Sequence, residues 1–248
     1  MRAAQADGMT PTPFTRRRAL ITGGTAGIGA LLAACTTDDT APAAPATSAS
    51  GAVGIPTGSD AKELLNRSGT CALTPQETEG PYYIDLDSVR SDIREGRPGA
   101  RLVVALRVQD LPGCTPVPNA MVEIWHADAG GVYSGFETAK SERFLRGSQA
   151  TDADGIAQFI TIYPGWYRGR TAHIHFKVHL SSKTLLTSQL FFDEKVTEAV
   201  YQKAPYTNHS GRDRFNDNDS IFNERLVMTT VADGDGYLAA LNVGVDAP

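Results

Sequence analysis

The sequence has few cysteines, no excess of positive charge and no long apolar run, and each shortage narrows the class of protein. Its 248 residues include three cysteines, and 23 lysines and arginines stand against 28 aspartates and glutamates, for a net charge of −5. This acidic balance gives general nucleic-acid binding no electrostatic support. No apolar stretch approaches the roughly 20 residues of a transmembrane helix. With 41% hydrophobic residues, the chain suffices for one globular domain with a sizeable core.

Residues 1–34 are typical of an export signal. The segment TRRRAL (residues 15–20) places arginines ahead of a weakly apolar, Gly- and Ala-rich stretch. This order indicates a twin-arginine signal, with a basic N-terminal tail as the alternative. The stretch ends in LLAAC, which is similar to a lipoprotein signal-peptidase site with Cys35 as the lipidated residue. We therefore expect export by the twin-arginine route and lipid anchoring to the outer face of the cell membrane; export without lipid is the alternative.

Residues 35–70 are predicted to be a flexible tether, and residues 71–248 the folded catalytic domain. The stretch directly after Cys35 is rich in Ala, Pro, Thr and Ser and has too few large apolar side chains to form a core. If Cys35 carries the lipid, Cys71 and Cys114 remain as an even pair in an oxidising compartment. That pair is a candidate disulfide, with two buried thiols as the alternative.

Short apolar segments separated by turn residues predict an all-β fold. Residues 101–108 alternate with a period of two, and the apolar face would consist of Leu102, Val104, Leu106 and Val108. The Asp- and Gly-rich residues 152–155 predict a hairpin turn, and residues 233–236 predict a second turn. We expect an antiparallel β-sandwich of roughly seven to nine strands, with long functional loops at one end.

One short helix is expected among these strands. Asp193 is a candidate N-cap, and residues 194–202 have apolar positions at helical spacing. The side chains predicted to face inward are Val196, Ala199 and Val200. Residues 205–220 then form a long polar loop.

The segment RTAHIHFKV (residues 170–178) contains two histidines in an apolar strand. His173 and His175 share one face of that strand, while the alternate residues face the core. Two imidazoles about 6–7 Å apart along a backbone can converge on one metal ion. Taken alone, such a pair is more often solvated or hydrogen-bonded than bound to metal. The other histidines are assigned surface or structural roles: His126, His179 and His209.

The segments around this pair give it a context. In chain order they include LTPQETEGPYY, VEIWHADAGGVYSG, TIYPGWYRGRTAHIHF and SQLFF. Together, over about residues 71 to 245, they resemble the intradiol ring-cleavage dioxygenases, the family of catechol and protocatechuate 3,4-dioxygenases. The resemblance implies a non-haem Fe(III) enzyme that cleaves a catechol-type ring with O2 to a cis,cis-muconate-type diacid. Both oxygen atoms would enter one substrate.

The resemblance also implies the iron ligands. They would be Tyr133, Tyr167, His173 and His175. Two phenolates and two neutral imidazoles suit iron in its ferric state. Tyr167 would leave the iron as substrate binds and take up a proton, which makes it ligand and base. Tyr163, just before the proline of the same segment, is the less favoured alternative to Tyr167.

Further residues border the substrate in this interpretation. Arg170 would stabilise negative charge on the ring, and Gln189 would orient the groups around the iron. The pocket would be bordered by Gly80, Pro81 and Tyr82. The chain has no counterpart of the helical dimerisation segment of catechol-type members, so the resemblance implies no particular oligomer.

Two other hypotheses compete with this one. An exported β-sandwich binding module could keep the fold without catalysis. A zinc hydrolase could be built on the His-x-His pair, although such sites normally add a carboxylate or a third histidine.

Overall fold

The computed structural model describes residues 58–69, 71–86 and 88–247. The predicted export signal and Cys35 lie outside the described residues, as does most of the predicted tether. In the described part of the chain, no helix is long and apolar enough to cross a membrane.

The described residues form two β-sheets, two α-helices and three 3-10 turns. In chain order the strands are β1 (Arg101–Asp110), β2 (Thr115–Pro116), β3 (Met121–Trp125), β4 (Arg146–Ala150), β5 (Ile156–Ile162), β6 (His173–Leu180), β7 (Lys183–Phe191), β8 (Thr229–Asp233) and β9 (Gly236–Val245). The α-helices are α1 (Gly58–Arg67) and α2 (Glu194–Tyr201), and the 3-10 turns are Glu137–Ala139, Tyr206–Asn208 and Glu224–Leu226. The predicted β-sandwich is confirmed as a mostly-β fold, but the prediction of one short helix is wrong, because α1 was not predicted.

The first sheet is built around β1. This strand pairs with β9 along one edge and with β5 and β2 along the other, and β8 follows β9. The β1–β9 pairing is parallel, so the prediction of an antiparallel sandwich is wrong at this pair. The reason is that most of the domain separates the two strands in sequence, so no tight turn imposes an antiparallel pairing.

The second sheet has the order β4-β3-β6-β7 and is antiparallel throughout. Residues 152–155 do form a turn, in which Oδ1 of Asp152 accepts hydrogen bonds from the amides of Asp154 and Ile156. However, β4 pairs with β3 and β5 pairs with β1, so the predicted hairpin is wrong and the turn connects the two sheets. Residues 233–236 join β8 to β9 as a hairpin.

The main core lies between the sheets. Leu102, Val104, Leu106 and Val108 are all fully buried there, as the alternation in β1 predicts. Strand β6 contributes from the other side, with Ile174, Phe176 and Val178. The strand parity that places the two histidines opposite these residues is therefore confirmed.

Helix α1 covers the outer face of the first sheet. Leu64 and Leu65 of the helix pack against Val103 and Ala105 of β1. The side-chain amide of Asn242 on β9 donates to the carbonyl oxygen of Leu65 at 2.9 Å. The predicted tether is therefore wrong over residues 58–67, because an amphipathic helix there buries an otherwise exposed apolar strand face.

Helix α2 begins as predicted, with Asp193 accepting a hydrogen bond from the amide of Lys195 at 2.8 Å. Its inward face is partly different, since Ala199 is exposed and Thr197 is buried. The Thr197 hydroxyl lies 2.8 Å from the hydroxyl of Tyr163. A buried phenol needs such a partner, which explains why a polar residue occupies this position.

A disulfide joins Cys71 to Cys114, with the two Cα atoms 5.8 Å apart. It connects the segment before β1 to the turn between β1 and β2, across 43 positions of sequence. The alternative of two buried thiols is therefore not what the structure contains.

Candidate metal centre

Strand β6 carries two buried histidines on the face away from the core. His173 and His175 are 3% and 1% exposed, and β6 lies between β3 and β7. Their Nε2 atoms are 3.1 Å apart. The two imidazoles thus meet on one side of the strand.

Burial keeps both imidazoles neutral. Nδ1 of His173 lies 2.7 Å from the carbonyl oxygen of Thr171, so Nδ1–H donates there and Nε2 keeps its lone pair. Burial, followed by the charge of Arg170, lowers the pKa of His173 to about 3. Burial and the neighbouring His173 hold the pKa of His175 well below its ordinary value.

Two tyrosine hydroxyls approach the same point. The hydroxyl oxygens of Tyr133 and Tyr167 lie 3.4 and 3.3 Å from Nε2 of His173. Tyr133 is in the loop between β3 and β4, and Tyr167 is in the loop between β5 and β6. Gly131 lets these loops meet, because a Cβ at this position, where φ is +83°, would lie 2.4 Å from the carbonyl oxygen of Trp166.

The four donor atoms suit a ferric ion. Burial is the main cause that raises the pKa of Tyr133 well above its ordinary value, and it also raises the pKa of Tyr167. Such phenols ionise only if a cation is close, and two phenolates with two neutral imidazoles favour iron(III). The described residues contain no cluster of three or more His, Cys, Asp or Glu side chains that could hold a metal. With the two imidazole nitrogens, the two tyrosine oxygens would give a metal four donors at this point.

Tyr163 does not belong to the cluster. Its side chain is fully buried in the main core. Its hydroxyl pairs with Thr197, and its ring centre is 4.3 Å from that of Phe192. Of the two tyrosines around Pro164, only Tyr167 reaches the histidines.

Arg170 and Gln189 lie beside the histidines and are bonded to each other. Nη1 of Arg170 is 3.5 Å from Nε2 of His173, and Nη2 donates to Oε1 of Gln189 at 2.6 Å. Gln189 is fully buried, and its Nε2 donates to the carbonyl oxygen of Thr78 at 2.9 Å. The guanidinium is thus held at the edge of the donor cluster.

Asp219 holds this arrangement from the polar loop and was not predicted. Its Oδ2 accepts from Nε of Arg170 at 2.9 Å and from the amide of Thr171 at 2.8 Å. The hydrogen bonds from backbone amides and the charge of Arg170 lower the pKa of Asp219, although burial opposes them. The acidic and amide residues of 205–220 are its signal in the sequence, but no spacing rule relates that loop to β6.

The loop around Gly80 closes over His175. At Gly80, φ is +73°, and a Cβ would lie 3.2 Å from Cε1 of His175. Pro81 is exposed, and Tyr82 is half-buried. The ring of Tyr82 is stacked on that of Tyr133, with centres 4.4 Å apart and an interplanar angle of 12°. Gly80 and Tyr82 therefore lie against two residues of the cluster, His175 and Tyr133.

Two further residues lie on the same face of the second sheet as His175 and were not predicted as site residues. Trp125 stacks on His175 with ring centres 5.1 Å apart and an interplanar angle of 7°. Arg146 is 3% exposed, and burial lowers its pKa to about 10. It therefore remains a cation at neutral pH.

The other three histidines lie outside the cluster. Both ring nitrogens of buried His126 are satisfied at 2.7 Å, by the carbonyl oxygen of Ala127 and the hydroxyl of Thr161. His209 packs on Trp166, with ring centres 4.1 Å apart. His179 is at the far end of β6, where Nδ1 is 3.0 Å from the Thr184 hydroxyl.

Comparisons of sequence point to dioxygenases. The family model described as Dioxygenase matches residues 78–204. Over 141 residues the chain is 34% identical to catechol 1,2-dioxygenase 1 of Acinetobacter lwoffii, covering 47% of this chain and 45% of that protein. It is 36% identical over 132 residues to the protocatechuate 3,4-dioxygenase beta chain of Burkholderia cepacia, covering 47% and 54%. The chain thus spans about half the length of the curated relatives it matches.

Solved structures share the fold over a longer stretch. An intradiol ring-cleavage dioxygenase from Tetranychus urticae aligns with a TM-score of 0.69 and 35% identity, covering 71% of this chain and 95% of that one. The dioxygenase domain of a dioxygenase carbohydrate-binding protein fusion from Streptomyces sp. SirexAA-E aligns with a TM-score of 0.57 and 31% identity, covering 71% and 100%. Fold, matched segment and donor set agree, and the chain belongs to the intradiol ring-cleavage dioxygenase family.

Proposed function

We propose that this protein is a non-haem Fe(III) intradiol dioxygenase that cleaves a catechol-type ring with O2 to a cis,cis-muconate-type diacid. One observation carries the proposal: the hydroxyls of Tyr133 and Tyr167 converge on Nε2 of His173, which lies 3.1 Å from Nε2 of His175. Membership of the family supports the reaction class, and the names of the relatives support a catechol-type substrate.

The four side chains would hold the iron with complementary chemistry. Tyr133 and Tyr167 would supply anionic oxygens, and His173 and His175 would supply neutral nitrogens. When bound, the ferric ion would act as a Lewis acid toward the two catechol oxygens. Gly80 and Trp125 enclose His175 and restrict the movement of its ring.

Tyr167 is the better placed phenol to accept a proton from the substrate. Tyr133 is 4% exposed and lies beneath the stacked ring of Tyr82, whereas Tyr167 is only partly buried. The charge of Arg170 and a hydrogen bond from it lower the pKa of Tyr167, against the larger opposing effect of burial. A catechol proton would therefore pass to the Tyr167 oxygen, which is the oxygen with more freedom to move.

Arg170 would stabilise negative charge on the bound ring. Its guanidinium lies beside His173 and is held in place by Gln189 and Asp219. A cation fixed before the reaction stabilises developing charge without reorganisation during the step. Gln189 would act chiefly by holding this cation, since its own amide is engaged with Thr78.

The iron centre is tested by colour and metal content. Protein purified with iron should show a visible tyrosinate-to-iron absorption band that Tyr133→Phe weakens or removes. Tyr163→Phe is the matched control, because it removes a buried phenol outside the cluster and should leave the band in place. A colourless protein loaded with zinc would contradict the proposal.

Activity is tested separately with a panel of catechol, hydroxyquinol, protocatechuate and substituted catechols. Oxygen uptake and formation of a ring-opened diacid are expected with at least one of them. A module that only binds would show a substrate-dependent spectral or thermal shift without oxygen uptake.

We also propose that the chain is exported by the twin-arginine route and lipid-anchored at Cys35 to the outer face of the cell membrane. The TRRRAL and LLAAC segments support this location, and the Cys71–Cys114 disulfide suits an oxidising compartment. Cys35→Ser should move the protein from the membrane fraction to the soluble exported fraction. Continued membrane association of that variant would contradict lipid anchoring at Cys35.

A further inference from the structure

Arg146 is a buried cation without a carboxylate partner. Its side chain is 3% exposed, and no salt bridge joins it to an acidic residue in the described part of the chain. Nε and Nη2 donate to the carbonyl oxygen of Ser134 at 3.1 and 2.7 Å, and Nε is 3.0 Å from the Ser134 hydroxyl oxygen. Nη1 is buried and has no hydrogen-bond partner. The carboxylate of Glu123 favours the charged form of Arg146 without a direct contact, and a buried cation normally has an anion in contact with it.

Arg146 lies on the same face of the second sheet as His175, one of the cluster residues. Across the strands, Arg146 is paired with Trp125, Trp125 with His175, and His175 with Gln189. Directly opposite residues project on the same face of a sheet. Arg146 therefore stands in one row with a proposed iron ligand, at the end of the row away from Gln189.

Arg146 lies beside Tyr133, a member of the cluster. The guanidinium carbon of Arg146 is 5.9 Å from the ring centre of Tyr133. It is 5.7 Å from the ring centre of Phe136. Arg146 donates to the backbone carbonyl oxygen of Ser134, the residue directly after Tyr133. The same side chain thus fixes the loop that carries Tyr133 and brings a positive charge beside its ring.

We propose that Arg146 is a positioning residue whose charge is balanced by the phenolate of Tyr133 when iron is bound. The inference rests on the proposed function, because the phenolate exists only in the iron-bound protein. Arg146 would favour the anionic form of Tyr133 by charge, and it would hold the loop through Ser134. Arg170 stands at the opposite end of the row, beside Gln189, and its charge also lowers the pKa of Tyr133.

The test separates charge from shape with Arg146→Gln and Arg146→Lys. Arg146→Gln should raise the dissociation constant for iron about tenfold or more, as expected for loss of one nearby charge in a partly buried site. It should also move the tyrosinate band to longer wavelength, because the phenolate electrons lose a stabilising cation. Arg146→Lys should largely restore both properties. Arg101→Gln is the matched control, since Arg101 is a largely buried arginine of the other sheet, paired with Asp233, and its loss should leave the band unchanged.

A double-mutant cycle with Tyr133→Phe tests whether Arg146 acts through Tyr133. In that background, Arg146→Gln should leave iron affinity unchanged or raise it, because no phenolate remains for the cation to stabilise. If Arg146→Gln lowers only thermal stability and leaves band and affinity as in the unmodified protein, the inference is wrong. If the unmodified protein binds no iron and has no band, the proposed function fails first, and the two failures are thereby distinguished.

Discussion

Asp219 accepts a hydrogen bond from Nε of Arg170 at 2.9 Å, and this contact links a loop distant in sequence to the edge of the donor cluster. The same carboxylate oxygen accepts from the amide of Thr171. The carbonyl of Thr171 in turn faces Nδ1 of His173. One acidic side chain thus orients both the proposed substrate-facing cation and one proposed iron ligand.

Asp219→Asn should lower kcat/KM for the preferred catechol by about 10- to 100-fold, because a charge-assisted bond to Arg170 is lost while the side-chain shape is kept. Steady-state oxygen uptake measures the effect. Asp217→Asn is the control, since Asp217 is an exposed acid of the same loop. An Asp219→Asn enzyme as efficient as the unmodified one would contradict the role of Asp219.

Gly80→Ala should weaken iron binding and shift the visible band, because the new Cβ would press on the imidazole of His175. Gly96→Ala is a matched control: φ is also +73° there, but nothing lies within 4 Å of the added Cβ. Both variants should lose about 1 kcal/mol of folding free energy through backbone strain. Equal iron affinities in the two variants would show that contact between residue 80 and His175 has no effect on iron binding.

The metal-free protein should lose stability steeply below pH 6.5. The pKa of His126 is lowered to about 4 and that of His173 to about 3, and His175 is also shifted down. Below the unfolded pKa of about 6.5, the unfolded chain binds protons that the folded chain excludes, so the free energy of unfolding falls as pH falls. The decrease should be about 2 kcal/mol for each such histidine between pH 7 and pH 5.

Urea unfolding of the metal-free protein at several pH values measures this slope. His126 lies outside the cluster, and His126→Gln should reduce the dependence of the free energy of unfolding on pH by the contribution of one histidine. A free energy of unfolding that stays level between pH 7 and pH 5 would show that the histidines are not excluded from protonation.

Removal of the disulfide should destabilise the domain without affecting the proposed iron centre. For a loop of 43 positions, Cys71→Ser with Cys114→Ser should lower the free energy of unfolding by about 2–4 kcal/mol. Reduction of the unmodified protein with a thiol should give the same decrease, and the double variant should not respond to the thiol. A thiol effect on the double variant would show that the loss does not come from this disulfide.

Helix α1 should contribute to the stability of the domain. Leu65 is 1% exposed, and Leu65→Ala should lower the free energy of unfolding by about 2–4 kcal/mol through lost burial and a cavity. Glu63→Ala, on the exposed face of the same helix, should change it little. Equal free energies of unfolding for the two variants would show that the packing of α1 on the sheet does not stabilise the domain.

The sequence by itself determined the strand-rich fold and the parity of β6. A period of two needs only neighbouring residues, and it placed His173 and His175 together on the face opposite Ile174, Phe176 and Val178. The family's motifs supplied Tyr133 and Tyr167, which the structure brings within 3.4 Å of His173. These features depend on local order along the chain.

Only the tertiary structure decided which distant segments meet. The Asp152–Gly155 turn looked like a hairpin, yet it connects two sheets, because strand partners are chosen across the whole core. Helix α1 was not predicted, because its apolar residues are explained only by the strand face on which they pack. Asp219 bonds to Arg170, which lies 49 positions away in the chain. Arg146 reaches the cluster through its place opposite Trp125 in the sheet and beside the ring of Tyr133. Local sequence patterns carry no information on such contacts, since their geometry depends on the packing of the complete domain.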